Sequence, residues 1–228
     1  MSRWPNRFVS LCALALLTAC QSAPAEKPPT TAHETAESGG TAAAGTGLPG
    51  SALAGSAAGP PVPAQAAQQY SEALKLMKAG RTADAESALK QLASAYPEFA
   101  GPDVNLGLLY LQGAHLVEAE SAFKTALERN PTNAIAGNEL GITERKLGKF
   151  AEAEAAYQRT IAADPNYAPA YLNLGVLYDL YLAEPQKALE QFEHYVQLAG
   201  ENKQVAGWMV ELRKRVGAPA PGAKKESA

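Results

Sequence analysis

An all-α fold of about four repeated helix pairs closed by one further helix is what this chain predicts over residues 66–216, and three observations carry it. Pro97, Pro131 and Pro165 stand 34 residues apart, as do Ala85, Ala119 and Ala153. The dipeptides Leu106-Gly107, Leu140-Gly141 and Leu174-Gly175 recur at the same interval. Within each period apolar residues return every three or four positions, the spacing that gathers them on one helix face.

The segments before the array read differently. Arg3 and Arg7 precede the apolar run Phe8 to Leu17, the basic-then-apolar plan of a secretory signal peptide over residues 1–19. A membrane span needs about 20 apolar residues, and this run is too short for one. Residues 20–65 are rich in Ala, Gly, Pro, Ser and Thr, and Pro24, Pro28, Pro29, Pro49, Pro60, Pro61 and Pro63 interrupt every short run. Such a segment buries too little surface to offset the entropy of ordering it. As a flexible coil of about 44 residues it reaches roughly 35 Å.

The periodic region predicts helices at 66–79, 82–95, 102–113, 117–129, 134–147, 150–163, 168–182 and 186–199, and a ninth at 202–216. In each pair the small residues Gly107, Gly141 and Gly175 and Ala119, Ala153 and Ala188 allow close approach, and Tyr or Phe fills the space between neighbours. Each proline after a second helix stops it, because it lacks an N–H and disfavours helix in the residue before it. In the last pair the pattern slips by one, to Ala188 and Phe192, which places a one-residue insertion near Ala183 to Pro185. The ninth helix sets Val205, Trp208, Met209 and Leu212 against Glu211, Arg213 and Lys214, as suits an end helix facing water on one side. Residues 217–228 read as a disordered tail.

Composition narrows the function. The formal charge is −3, and about −5 without the leader's two arginines, with the basic residues scattered, so there is no electrostatic footprint for nucleic acid. Both cysteines, Cys12 and Cys20, precede the array, which leaves it neither a disulfide framework nor a thiolate metal site. His33, His115 and His194 are isolated in the sequence, so no metal site is expected. Glu118, Glu120, Glu152 and Glu154 flank the repeat alanines and read as the exposed face of each second helix. No cofactor, small-molecule substrate or catalytic constellation is expected. The Gly-rich stretch 38–50 lacks the Gly-Lys-Ser/Thr ending of a phosphate loop.

Two resemblances sharpen this. Leu17-Thr18-Ala19-Cys20 resembles the lipobox of bacterial lipoproteins, which implies diacylation of Cys20, cleavage before it, and a protein held by several acyl chains such as palmitate. Gln21 after that cysteine implies the periplasmic face of the outer membrane. Leu106, Gly107, Tyr110, Ala119, Phe123, Ala126 and Pro131 resemble the tetratricopeptide repeat (TPR) pattern, and Leu140, Gly141, Ala153, Tyr157 and Pro165 follow it with Glu144 and Thr160 in place of the usual Tyr and Ala. The earliest repeat matches at Ala73, Ala85, Leu89, Leu92 and Pro97, with Glu72 and Leu76 replacing the usual Leu and Tyr. This resemblance implies a right-handed superhelical solenoid.

The TPR resemblance also implies a binding surface made by the first helices. Its inward positions would be Tyr70, Leu74, Met77 and Lys78 in the first repeat and Val104, Leu108, Leu111 and Gln112 in the second. The third repeat would add Asn138, Ile142, Arg145 and Lys146, and the fourth Leu172, Val176, Asp179 and Leu180. That surface is largely apolar, and the chaperone-binding carboxylate clamp of some TPR domains is not reproduced, although Asn105 and Asn173 match an asparagine common in the family. An apolar groove calls for an amphipathic helix or an extended apolar segment as partner, unless several of these residues are covered by neighbouring helices or by the linker folding back. The implied function is a membrane-anchored, non-enzymatic scaffold for an envelope protein or peptide segment, assisting assembly of a secretin, pilus or TonB-type complex. The stretch from Tyr171 through Tyr181, continued past Trp208 to Arg215, resembles TPR proteins that accompany TonB, ExbB and ExbD homologues. The alternative is a cell-wall-associated regulator that positions a peptidoglycan enzyme.

Overall fold

The computed structural model describes residues 62–217. The expected signal peptide, the Cys20 lipidation site, most of the expected tether and the tail from 218 lie outside the described residues.

Among these residues there are nine helices. They are α1 (Ala64–Lys78), α2 (Thr82–Ala95), α3 (Gly101–Gln112), α4 (Leu116–Arg129), α5 (Ala134–Lys146), α6 (Phe150–Ala163), α7 (Ala168–Leu180), α8 (Pro185–Ala199) and α9 (Lys203–Val216). The fold is all-α and repetitive: α1–α2, α3–α4, α5–α6 and α7–α8 form four hairpins, and α9 closes the series. Beyond consecutive helices, contacts run between first helices, α3 with α5 and α5 with α7. Thus α3, α5 and α7 crowd together on one side while the second helices splay apart.

The small-against-large pattern is what lets each hairpin close. A methyl group placed on Gly107 would stand 2.5 Å from the Phe123 ring, one on Gly141 2.5 Å from Tyr157, and one on Gly175 2.6 Å from Phe192. All three rings are buried, so each glycine is the space its ring occupies. The first hairpin solves the same problem with Ala73 and Leu89, both fully buried. In the third, the bulkier Thr160 is accommodated because residue 137 is glycine, where a Cβ would lie 2.2 Å from the Thr160 hydroxyl.

Second helices end where a proline follows. Tyr96, Asn130 and Asp164 leave helical geometry at φ −134°, −138° and −138°, as the pre-proline clash requires. Within three hairpins the turn closes with a five-residue hydrogen bond: the N–H groups of Arg81, His115 and Lys149 donate to the carbonyls of Leu76, Tyr110 and Glu144. The preceding residue is left-handed each time, at Gly80, Ala114 and Gly148. In the fourth hairpin the bond is one residue longer, from Glu184 to the Tyr178 carbonyl, and the left-handed residue is Ala183. α7 ends at Leu180, the repeat position that also ends α1, α3 and α5, rather than at the expected 182, and the extra residue falls in the turn. Pro185 then opens α8, where its missing N–H costs nothing. Asn202 caps α9 by accepting from the N–H groups of Gln204 and Val205.

The buried core falls into three clusters along the stack, with Tyr70, Leu89 and Leu106 in one, Val104, Phe123 and Leu140 in the next, and Tyr157, Leu177, Phe192 and Leu212 in the third. Each cluster joins side chains of adjacent hairpins, so no hairpin buries its apolar face alone.

Candidate interaction face

The first helices carry an apolar row in register. Leu74, Leu108, Ile142 and Val176 occupy the same repeat position on α1, α3, α5 and α7 and are all half-buried. Each packs at the edge of a core cluster while keeping surface outward. Leu111 and Leu172 are likewise half-buried. The same position in α9 holds Glu211, exposed and ion-paired with Lys214 at 2.8 Å, so the row stops at the cap.

Lys78, Gln112, Lys146 and Leu180 are exposed and Met77 is half-buried, whereas five other residues expected on this face are placed differently. Val104 is 0 % exposed and Tyr70 2 %, so both belong to the core. The Tyr70 hydroxyl accepts from the Asn105 amide at 2.5 Å, and burial pushes the phenol's pKa up. Asn138 is buried and accepts from the Asn173 amide at 2.9 Å. Arg145 is buried, donates to the Tyr181 hydroxyl at 3.1 Å and lies over the Tyr181 ring. Asp179 is buried and paired with Arg215 of α9. These ties link residues about one repeat apart, so their polar atoms are used to join hairpins, and the outward face narrows to the apolar row. The sequence left open which of these residues neighbouring helices would cover, because a first-helix position alone does not say which neighbour will lie on it.

The second-helix acids also need correction. Glu118 and Glu152 are exposed as expected, but Glu120 is buried and Glu154 half-buried, because they reach the next hairpin. The Tyr110 hydroxyl donates to Glu86 at 2.9 Å, and the Tyr178 hydroxyl to Glu154 at 2.7 Å. At the joint between them Glu144 replaces the tyrosine. Lys124 bridges Glu120 at 2.5 Å and Glu144 at 3.5 Å, and Lys149 reaches Glu120 at 2.6 Å. The hydrogen bonds of Lys124 and Lys149 hold the Glu120 carboxyl below the usual range. Burial pushes Glu144 above it, and its second carboxylate oxygen has no hydrogen bond. The signal was present in the sequence, since Glu86, Glu120 and Glu154 share one repeat position and Tyr110, Glu144 and Tyr178 another.

An open cleft of about 510 Å³ lies at the first joint, lined by Thr82, Glu86, Lys90, Tyr110, His115 and Glu118 among others. It does not include the apolar row. Its central groups bind one another, Lys90 with Glu86 at 2.6 Å and Tyr110 with His115 edge to face. His194 stacks on Tyr171.

Comparison with known proteins agrees with this architecture. Residues 76–141 match a family model described as tetratricopeptide repeat, and residues 141–179 one described as TPR repeat. No curated protein matches the chain. Among solved structures, a crystal structure of MamA is similar at 26 % identity and TM-score 0.59, over 64 % of this chain and 84 % of that one. The Pseudomonas aeruginosa pilF protein is similar at 21 % identity and TM-score 0.59, over 67 % and 69 %. A tetratricopeptide repeat protein from Parabacteroides merdae is similar at 21 % and 0.58, over 66 % and 61 %. The chain thus carries tetratricopeptide repeats on an all-α helical-repeat fold, a scaffold suited to protein–protein interaction.

Proposed function

We propose that this protein is a lipid-anchored scaffold of the bacterial cell envelope, held at the periplasmic face of the outer membrane through Cys20, whose repeat domain captures a polypeptide segment on its first-helix row. It catalyses nothing; it holds a partner during assembly of an envelope complex of the secretin, pilus or TonB type. The observation that carries the binding role is the row itself: Leu74, Leu108, Ile142 and Val176 in register on four helices. Burying their remaining apolar surface contributes about 25 cal/mol per Å², which gives an amphipathic or extended apolar segment its affinity. The anchoring role is supported by the basic-plus-apolar leader, the Leu-Thr-Ala-Cys sequence at 17–20 and the proline-punctuated stretch after it.

Photocrosslinking in intact cells tests both parts. A photoreactive side chain at position 108 or 176 is expected to give a discrete adduct, whereas one at Val117, 67 % exposed on α4, gives none. Adducts from 117 but not from 108 would remove the first helices as the capturing face. Cys20→Ser is expected to move the protein from the membrane to the soluble fraction; unchanged fractionation would end the anchoring assignment.

A further inference from the structure

The charges beside the apolar row specify the partner further, on the reading that the row binds a polypeptide. Lys75, Lys90, Lys124, Lys149, Lys187 and Lys214 all sit in ion pairs. Lys78 and Lys146 are exposed and, among the described residues, sit in no ion pair. They occupy the same repeat position, at the last residues of α1 and α5, on the helices that carry Leu74 and Ile142. The third such lysine, Lys203, starts the cap. A cation in the last turn suits the helix dipole, yet Gln112 and Leu180 hold that position in α3 and α7, so helix formation does not demand it.

The acids of the first helices do not neutralise this pair. Glu72 is paired with Lys75, Asp103 with Arg129 at 2.5 Å, Glu144 with Lys124 and Asp179 with Arg215. Glu139 accepts from the Asn138 amide at 3.3 Å, and burial holds it toward its protonated form. An apolar row flanked by two open ammonium groups is complementary to an apolar stripe flanked by carboxylates.

We propose that the partner segment is an acidic amphipathic helix, its apolar stripe on Leu74, Leu108, Ile142 and Val176 and its carboxylates facing Lys78 and Lys146. The two lysines stand two repeats apart, on the first helices either side of α3 in the series, so the carboxylates of the segment are spread along its length rather than gathered at one end. Charge at the rim of an apolar contact selects between partners more than it adds affinity, so the acid is read as specificity.

The test uses the full chain and two labelled helical peptides of about 18 residues, with one shared leucine face and either glutamate or lysine on its flanks, measured by fluorescence anisotropy. The glutamate peptide is expected to bind about tenfold tighter at low salt, and the preference to fade as salt screens it. The double variant Lys78→Glu, Lys146→Glu is expected to reverse the preference, with helical content unchanged by circular dichroism. Leu108→Asp, or the milder Val176→Thr should the first fail to fold, is expected to weaken both peptides alike. Equal binding of the two peptides, lost in Leu108→Asp, overturns the acidic partner and leaves the interaction face standing. Binding of neither peptide overturns both. Self-association seen by sedimentation and removed by Leu108→Asp assigns the face to a second copy of this chain and overturns the proposal.

Discussion

The joint between the second and third hairpins is built differently from the joints on either side of it. At the flanking joints a neutral tyrosine, Tyr110 or Tyr178, donates its hydroxyl to a glutamate of the preceding hairpin. At the central joint Glu144 meets Glu120, and Lys124 and Lys149 reconcile the two acids. The same backbone frame accepts both solutions because the interlocking of a small residue with a larger one inside each hairpin does not depend on them. A tyrosine hydroxyl needs one acceptor, whereas a buried carboxylate needs a cation and leaves an oxygen without a hydrogen bond. The central joint is therefore the one where charge adds to packing in setting stability.

The comparison breaks most visibly if the shared interlock is removed. Gly141→Ala forces a Cβ to within 2.5 Å of the Tyr157 ring, and a buried ring has nowhere to turn. It is expected to lose about 1–3 kcal/mol in urea denaturation, whereas Ala73→Gly, at the equivalent position of the first hairpin, creates no clash and is expected to lose about 1 kcal/mol, the penalty of glycine inside a helix. Transplanting the flanking joint sharpens the contrast: Glu144→Tyr with Lys124→Gln copies the arrangement of Tyr178, Glu154 and Gln158. It is expected to stabilise the protein by about 1 kcal/mol at neutral pH, since it removes a buried carboxylate oxygen that lacks a partner.

The pH dependence carries the same contrast with a worked sign. Glu120 and Glu86 titrate below the usual range in the folded protein, so the stability they contribute is present at neutral pH and is lost as pH falls through their folded pKa values. Glu144 titrates above it, so the folded state takes up that proton before the unfolded state does, and acid relieves its cost. The cost of Glu144, measured as the difference between the native protein and a single Glu144→Tyr variant that keeps Lys124 on Glu120, should thus be largest at neutral pH and shrink through the carboxylate range, read from melting temperatures at a series of pH values. A cost that grows on acidification would show that Glu144 is better solvated than its burial implies. The smallest expected effect lies in the turns. Ala114 stands at φ +58° where two other hairpins use glycine, and Ala114→Gly is expected to gain up to about 1 kcal/mol, because relief of left-handed strain outweighs the added freedom of the unfolded chain.

Much of the fold was legible residue by residue. Helix ends fall within about two residues of the spacing-based expectation, and the insertion near Ala183 to Pro185 emerges as a longer turn at Ala183. The Gly-to-ring pairs are separated by half a repeat and are local enough to read by eye. The face was less legible. Leu74, Leu108, Leu111, Ile142, Leu172 and Val176 keep outward surface, while Tyr70, Val104, Asn138, Arg145 and Asp179 are buried. Nothing in a single repeat says that Tyr70 will be tied to Asn105 or Asp179 to Arg215, because each tie depends on a side chain in the following hairpin or cap.

Sequence alone determined the number of helices, their limits to within about two residues and the place of the extra residue in the last pair, since these follow from a 34-residue period and patterns within one hairpin. Tertiary structure alone decided which first-helix side chains still meet solvent and where Glu120 and Glu144 find their counter-charge. Exposure and ion pairing depend on the distance between hairpins, and that distance is set by packing across the joint rather than by any residue's place in its own helix.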